Sequence, residues 1–206
     1  MQSVPGRKGY HHGDLRRAII DAAEAELAER GLHSFSLRRV SARVGVSHAA
    51  PAHHFGDVSG LIDALAERGF RRLLACMVAR EATAPQTNYD RLIASGLGYL
   101  EFAQTHPALF RLIFGLSKGS DPDKEVMAAA EAAFMHLALN VAALHAAEPF
   151  AHPGAREQVL ACWTRVHGFA ELMLAGHVSL PDDDDGTARD ALFRSVFEVR
   201  FDSPGA

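Results

Sequence analysis

Apolar side chains recur at spacings of three and four residues along most of the chain, which is the period of an amphipathic α-helix. The first such stripe runs through Leu15, Ile19 and Leu27. Gly31 follows it, and a glycine just past a periodic stretch is typical of a helix C-terminus. The sequence therefore predicts a first helix that begins at Asp14 and ends at Gly31.

The same spacing predicts further helices, separated by breaks that contain glycine and proline. No alternating apolar and polar stretch indicates a strand, so the sequence predicts an all-α fold. After the first helix, the predicted helices cover residues 37–44, 48–55, 58–80, 90–104, 107–114, 124–147, 155–177 and about 187–200.

Two short predicted helices lie between Ser36 and Phe55, joined by a tight turn. Ser36 and Ser47 are suited to cap the two helices, and Gly45 permits a sharp chain reversal at low steric cost. A short helix pair with a glycine-containing turn is the geometry of a helix-turn-helix, whose second helix enters the DNA major groove. A helical pair that packs without reading DNA is the alternative.

This segment resembles the signature of TetR-type bacterial repressors over residues 36–55, SLRRVSARVGVSHAAPAHHF. The lead-in from Tyr10, YHHGDLR, resembles one branch of that family, and WTRVHG from Trp163 resembles a Trp-His-Gly ligand-binding domain. The resemblance covers about residues 10–70 and fewer positions near the C-terminus. It implies a helix-turn-helix domain with an N-terminal arm in residues 1–57 and a larger helical ligand-binding and dimerisation domain in residues 58–206.

The resemblance also implies DNA contacts along the segment. The start of the first short helix would contact a phosphate, and the start of the second would contact phosphates and base edges. The far end of the second would contact the DNA backbone or bases. A basic arm can reach into a minor groove. The DNA-binding residues predicted in this way are Ser36, Arg38, Ser47, His48, Ala49, His53 and His54, with Arg7 and Lys8 in the arm.

Two positions depart from the family pattern. Ala52 stands where the family usually has tyrosine, and Val58 where it often has lysine. Both changes remove contacts to the DNA backbone, which supply much of the affinity and its salt dependence. We therefore expect weaker DNA binding, or binding that depends more on the arm.

Aromatic and sulfur-containing side chains in the second half of the chain are candidates for a ligand pocket, with plain core packing as the alternative. Trp163 and His167 are four residues apart on one helix face, so they can supply an apolar wall and a polar handle. His106 and His136 are further candidate polar contacts. Because no buried Lys or Arg cluster is evident, we expect a neutral, apolar or aromatic effector. The predicted pocket residues are Met77, Phe102, Phe110, Phe114, Met135, Trp163 and His167.

The predicted helix over residues 155–177 is apolar on more than one face. Val159 and Trp163 lie on one stripe, and Leu160 and Leu172 lie on others. A helix that is apolar all round indicates contact with a partner as well as with its own core. Together with the helix over about 187–200, it predicts a four-helix homodimer interface. A central core helix is the alternative.

Charge is distributed unevenly along the chain. Eight basic and six acidic side chains give residues 1–60 a net charge of +2, while the whole chain carries −4. A basic N-terminal part suits a DNA-reading domain. The two cysteines lie far apart and match no metal or redox spacing. With no secretory signal and no apolar run long enough to span a bilayer, we expect a cytoplasmic protein without cofactor, metal or membrane partner.

One motif favours a different class of protein. Residues 115–119, GLSKG, match the G-x-S-x-G pattern of hydrolases. That pattern requires a preceding strand and a following helix, whereas here a predicted helix precedes it and a loop follows. We therefore expect the protein not to be an enzyme but a ligand-responsive regulator that binds a palindromic operator as a dimer. The alternatives are a DNA-binding module that senses no ligand and, less favourably, a helical hydrolase.

Overall fold

The computed structural model describes residues 12–85, 87–115, 123–179, 181 and 186–198 of the 206-residue chain. Within these ranges the regular secondary structure is α-helical apart from one 3-10 turn, with no strand, which confirms the predicted fold class. In chain order the helices are α1 (His12–Arg30), α2 (Leu37–Val44), α3 (Ala50–Phe55), α4 (Val58–Glu81), α5 (Asn88–Thr105), α6 (Pro107–Gly115), α7 (Lys124–Ala143), α8 (Ala155–Leu174) and α9 (Thr187–Glu198).

The first three helices pack against one another and against the start of α4. Ile19 and Leu27 of α1, Val40 of α2 and Leu61 of α4 are buried in their shared core. Arg39 and Arg43 of α2 pair with Glu26 and Glu29 of α1, which holds the two helices together. The result is a small helical unit at one end of α4.

The long helix α4 runs from this unit into the body of the protein, where it packs against α5, α6 and α7. The other face of α5 contacts α8 and α9. Phe102 and Phe110 are fully buried where α5 and α6 meet, and Phe193 of α9 is buried against Phe169 of α8. The α4 helix is therefore shared by both halves of the fold.

Among the described residues, α7 is the one helix whose length and composition would suffice to cross a membrane. The core helix of a globular protein passes the same test. Val126, Ala133, Ala138 and Val141 of α7 are buried in the hydrophobic core, which is the packing expected of a core helix.

The second short helix begins two residues later than predicted, and Ser47 does not cap it. Its N-cap is Ala49, and Ala50 and Pro51 form its first turn. A helix that began at His48 would need a backbone N–H at residue 51 for its first internal hydrogen bond, and proline has none. Residues 48–49 instead form a turn closed by a hydrogen bond from the Ala50 N–H to the Ser47 carbonyl, 3.0 Å.

Two other helices end earlier than their apolar patterns predict. α7 ends at Ala143 instead of 147, and Ala146 adopts a positive φ of 49°, which is incompatible with a continuing right-handed helix. α8 ends at Leu174 instead of 177, because Gly176 turns the chain at φ 74° and His177 donates back to the Leu172 carbonyl.

Some predictions concern residues outside the described ranges. These are the contacts of Arg7 and Lys8, the G-x-S-x-G motif beyond Gly115, and the last residues of the helix that the structure describes as far as Glu198.

Candidate DNA interface and ligand cavity

The turn between α2 and α3 is set by Gly45. It adopts the left-handed conformation, φ 76° and ψ 31°, in which a glycine carries no steric penalty. The N–H groups of Gly45 and Val46 both donate to the Ser41 carbonyl, at 2.9 and 3.0 Å. α2 therefore stops abruptly, and the chain passes through the exposed residues 47–49 before α3 begins.

The predicted DNA-binding residues that the structure describes, Ser36 to His54, lie at the start of α2, on α2, on the turn and on α3, and these elements contact one another. Most of them are exposed, and Ser36 and His54 are half-buried. α3 contains no Lys or Arg, so its cationic capacity comes from histidine alone. The exposed members of the set are Arg38, Ser47, His48, Ala49 and His53.

The three arginines of α2 have different surroundings. Arg39 pairs with the buried carboxylate of Glu26, and Arg43 pairs with Glu29 at 2.7 Å, both on α1. Arg38 is exposed and makes no ion pair with any described residue. Of these side chains, Arg38 is the one that remains available to an external phosphate.

The two departures from the family pattern lie at the surface. Ala52 is exposed on α3, and Val58, the first residue of α4, is 46% exposed. Neither side chain can donate a hydrogen bond or carry a charge. The sequence predicts weaker contact with the DNA backbone at these two positions, and both of them are accessible at the surface.

The corner between α3 and α4 is tight. The Asp57 carboxylate caps α4 by accepting from the Gly60 N–H at 3.0 Å. A Cβ added at Gly60 would lie 2.0 Å from the carbonyl oxygen of Phe55, the last residue of α3. The Arg16 guanidinium lies over the Phe55 ring, 5.1 Å from its centroid. These contacts hold α3 in one orientation relative to α4.

The body of the protein contains a cavity of about 790 Å³, bounded by α4 to α9. That volume lies within the range of small-molecule sites. Four predicted pocket residues, Met77, Phe114, Trp163 and His167, line it. Lining residues that the sequence analysis did not select include Phe70, Tyr99, Phe134 and Cys162.

The other three predicted pocket residues do not line this cavity. Phe102 and Phe110 are fully buried in the core, and Met135 is half-buried against it. Phe110 still lies behind the cavity wall, since its ring stacks on the His167 ring with centroids 5.5 Å apart. Periodicity identified these side chains as inward-facing but could not separate core from cavity lining.

Tyr99 supplies the polar feature that sequence reasoning missed. Its hydroxyl lies 2.8 Å from Nδ1 of His167. Burial raises the pKa of the Tyr99 phenol, and the neighbouring Trp163 side chain opposes that effect. Tyr99 lies four residues after Ser95 and three before Phe102 on α5. This helical spacing places it on the inward-facing side of that helix, so the sequence pattern could have identified it.

The two further candidate histidines lie elsewhere. His136 Nε2 is 2.6 Å from the buried carboxylate of Glu81, which also accepts from Asn140 at 2.8 Å. His106 lies at the end of α5, 4.0 Å from Glu24 of α1. Neither lines the cavity. No group of three or more potential metal ligands occurs among the described residues.

One face of α8 is left uncovered by the part of the chain that the structure describes. Leu160 and Leu172 are 45% and 48% exposed, whereas Val159, Val166 and Phe169 on the opposite face are buried. A Cβ at Gly168 would meet no atom within 4 Å. Val196 on α9 is exposed as well. This face combines exposed leucines with small residues.

Comparison with known proteins identifies the family. The model of the "Tetracyclin repressor-like, C-terminal domain" matches residues 92–196, and that of "Bacterial regulatory proteins, tetR family" matches residues 19–65. The HTH-type transcriptional regulator BetI of Burkholderia mallei (strain NCTC 10229) is 35% identical over 82 residues, which cover 39% of this chain and 42% of BetI. The match thus spans less than half of that curated relative.

Solved structures extend the similarity over nearly the whole chain. A protein of unknown function from Rhodococcus sp. RHA1 is 34% identical with a TM-score of 0.76, covering 91% of this chain and 97% of that one. A TetR-like transcriptional regulator from the same organism is 15% identical with a TM-score of 0.64, covering 92% and 96%. At that identity the second similarity concerns the fold alone.

The matched families and BetI are transcriptional regulators, which agrees with the expectation that this chain is not an enzyme. The assignment to a Trp-His-Gly branch stays a prediction. One family model matches half of the chain and a second covers the helix-turn-helix, and this chain therefore belongs to the TetR family of bacterial transcriptional regulators.

Proposed function

We propose that the protein is a dimeric, ligand-responsive DNA-binding regulator that acts as a repressor by occupying a palindromic operator. The observation that carries the proposal is that one helix serves both sites. Leu73 and Met77 of α4 line the cavity, and Gly60 at the start of the same helix fixes the position of α3. A ligand in the cavity and DNA at α3 thus act on one element.

The proposal divides the chain at about residue 57. Residues 1–57 read DNA, with Ser47, His48 and Ala49 at the start of the recognition element and His53 and His54 at its far end. Arg38 and Ser36 contact phosphates, and Arg7 and Lys8 extend the contact. The exposed positions of Arg38, His48 and His53 support this assignment.

Residues 58–206 bind the effector and a second protomer. The cavity wall is largely apolar, and no Lys or Arg lines it among the described residues, which supports a small apolar or aromatic effector. The exposed leucines of α8, with α9 beside them, support a two-fold four-helix interface. Such a dimer acts in the cytoplasm, where its operator is.

Thermodynamic coupling between effector binding and DNA binding then explains how the effector releases the operator. Two recognition elements read half-sites when they lie about 34 Å apart, one turn of DNA. An effector that prefers a different α4 arrangement lowers DNA affinity by its differential affinity for the two arrangements. The ion pairs that join α1 to α4, Arg68 with Asp21 at 2.6 Å and with Glu24 at 2.9 Å, couple that movement to the DNA-reading unit.

The test is selection of bound duplexes from a random DNA pool with the purified chain at moderate salt. We expect enrichment of a palindrome with half-sites about one helical turn apart. The matched control is the double variant His48→Ala, His53→Ala, which should fold as the wild type but enrich no palindrome. Absence of any enriched sequence for the wild type, even at low salt, would contradict the proposal.

A further inference from the structure

The cavity reaches the protein surface along one face of α7. Met127, Ala130, Glu131 and Phe134 follow one another at helical spacing, and all four line the cavity. Met127 is 56% exposed and Glu131 is exposed as well, whereas Leu73 on the α4 side of the cavity is buried. The mouth of the cavity therefore lies at Met127 and Glu131, and its deep end lies against α4.

The mouth carries a carboxylate and no basic side chain. Among the described lining residues, Glu131 is the only Asp, Glu, Lys or Arg. It makes no ion pair with any other residue that the structure describes. This carboxylate is thus available to a cation from outside the chain.

A second carboxylate lies close to the cavity wall on α8. Oε1 of Glu171 is 3.9 Å from Nε2 of His167, a residue that lines the cavity. The charge of Glu171 is also felt at Tyr99, another lining residue. Burial is the main cause of the raised pKa of the Tyr99 phenol, and the negative charge of Glu171 raises it further. Negative charge therefore acts on the cavity from both α7 and α8.

The basic group recorded beside the cavity is already engaged. Arg165 of α8 donates to the Phe197 carbonyl of α9 at 2.7 Å, and its guanidinium lies 5.8 Å from the centroid of the Phe197 ring. Arg165 itself does not line the cavity, although Phe197 does. The charges at the mouth therefore attract a cation and repel an anion, and salt weakens both effects.

Aromatic rings border the same part of the wall. Phe134 lies three residues after Glu131, and its ring packs edge to face with that of Trp163, with centroids 5.8 Å apart. The face of an aromatic ring attracts a cation. A charged group that stays at the mouth keeps part of its water, so it avoids the cost of burying a charge. The interior then remains for an apolar body.

We propose that the cavity takes an amphiphilic cation, with an apolar or aromatic body inside and an amine-type cationic group at the mouth beside Glu131. The inference rests on the proposed function, in which this cavity holds the effector, and it names the chemical class of that effector. Its charge differs from the neutral effector that the sequence predicts, because Glu131 and Glu171 come to one cavity only in the fold. Glu131 binds the cation directly, and Glu171 adds to the attraction.

The first test compares three probes that share one apolar body and differ in head group: phenylhexylamine as its ammonium ion, phenylhexanol and phenylhexanoate. Trp163 is the only tryptophan of the chain and lines the cavity, so its fluorescence reports binding there. Titrations of the full chain at pH 8 and low salt measure the three affinities. We expect the ammonium ion to bind about 3- to 10-fold more tightly than the alcohol, and phenylhexanoate to bind most weakly. High salt should reduce the preference.

The result that would overturn the proposal is an ammonium ion that binds no more tightly than the alcohol or the carboxylate. A fluorescence of Trp163 that does not saturate with any of the three probes would overturn it as well, since the cavity would then not hold an amphiphile of this class.

The second test removes the charge at the mouth. Glu131→Gln keeps the shape of the side chain, and we expect the ratio of ammonium to alcohol affinity to fall by roughly 2- to 5-fold. Glu171→Gln should lower the ratio less. Glu125→Gln is the matched control, because Glu125 is an exposed acid of the same helix that does not line the cavity, and it should keep the wild-type ratio. An equal ratio in Glu131→Gln and the wild type would contradict the role of Glu131.

Duplex selection on the same preparation separates the two levels. If a palindrome is enriched but the ammonium preference is absent, only the ligand inference is wrong. If the preference and its loss in Glu131→Gln are as expected but no duplex is enriched, the cavity chemistry stands and the regulatory function is contradicted.

Discussion

The Glu24 carboxylate of α1 lies 2.9 Å from the Nη1 atom of Arg68 on α4, so an ion pair bridges the DNA-reading unit and the helix that borders the cavity. The other carboxylate oxygen of Glu24 contacts Arg72, one turn further along α4. Glu24 and Arg68 are both about four-fifths buried, so water screens this contact less than a surface pair. One carboxylate therefore fixes α1 against two turns of α4.

Glu24→Gln should weaken that connection. The amide keeps the shape but not the charge, so Arg72 loses its partner on α1 and Arg68 keeps only its ion pair with Asp21. We expect a loss of about 1–2 kcal/mol in the free energy of unfolding, measured by urea denaturation. Glu29→Gln is the control, because Glu29 pairs with Arg43 at the surface, and it should have little effect. Equal losses in both variants would contradict the account.

Gly60→Ala should displace α3 from α4. The added methyl group would lie 2.0 Å from the Phe55 carbonyl oxygen, which belongs to the backbone and cannot move aside alone. We expect a cost of about 1–3 kcal/mol in stability and a larger loss of affinity for the selected duplex, read by fluorescence anisotropy. Ser59→Ala, at an exposed position one residue earlier, should change neither quantity. Full DNA affinity in Gly60→Ala would contradict the claim that this corner orients α3.

Arg38→Ala should remove one phosphate contact. The expected signature is a salt dependence of DNA affinity whose logarithmic slope falls by about one, with a similar loss for all duplex sequences. Arg111→Ala removes an equal charge from an exposed position on α6 and serves as the control. A slope that stays at the wild-type value in Arg38→Ala would mean that Arg38 makes no phosphate contact.

His106 should make stability depend on pH. Burial lowers its pKa from the usual 6.5, Arg72 adds to that effect, and Glu24 opposes it. Between the lowered pKa and 6.5 the unfolded chain binds more protons than the folded one, so stability rises with pH across that window and falls on acidification.

The pH dependence of His106 can be measured as the fall in Tm between pH 7 and pH 5. We expect a smaller fall in His106→Gln, which cannot titrate, than in the wild type. His33→Gln, at an exposed position, should fall as the wild type does. Identical falls in all three proteins would show that His106 does not contribute.

The sequence predicts helices well where local chemistry decides them. Gly31 and Gly45 end α1 and α2 where expected, because their positive φ values suit glycine. α3 begins later than its sequence pattern predicts, because Pro51, which has no N–H to donate, sets the helix start and overrides the capping tendency of Ser47. Where an apolar run continued past a helix end, as at Ala146, the pattern alone could not locate the turn.

Side chains of the candidate ligand site were predicted only in part, for a different reason. Helical spacing shows which residues face inward, and Phe102, Phe110 and Phe114 all do so. Only the packing of α4 to α9 decides that Phe114 borders empty space while Phe102 and Phe110 do not. Tyr99 and His167 lie 68 residues apart in sequence, so their contact is a product of the tertiary fold.

Hydroxyl-radical footprinting of the selected duplex tests the central claim most directly, with the wild type compared to Leu172→Asp. The variant places a charge at an exposed leucine of α8 and leaves the DNA-reading helices untouched. Leu139→Asp, at an exposed position of α7, is the control. The account predicts two protected regions about one helical turn apart for the wild type and Leu139→Asp, and their joint loss in Leu172→Asp at the same protein concentration. A single protected region, equally strong in all three proteins, would contradict a dimeric DNA reader held together through α8.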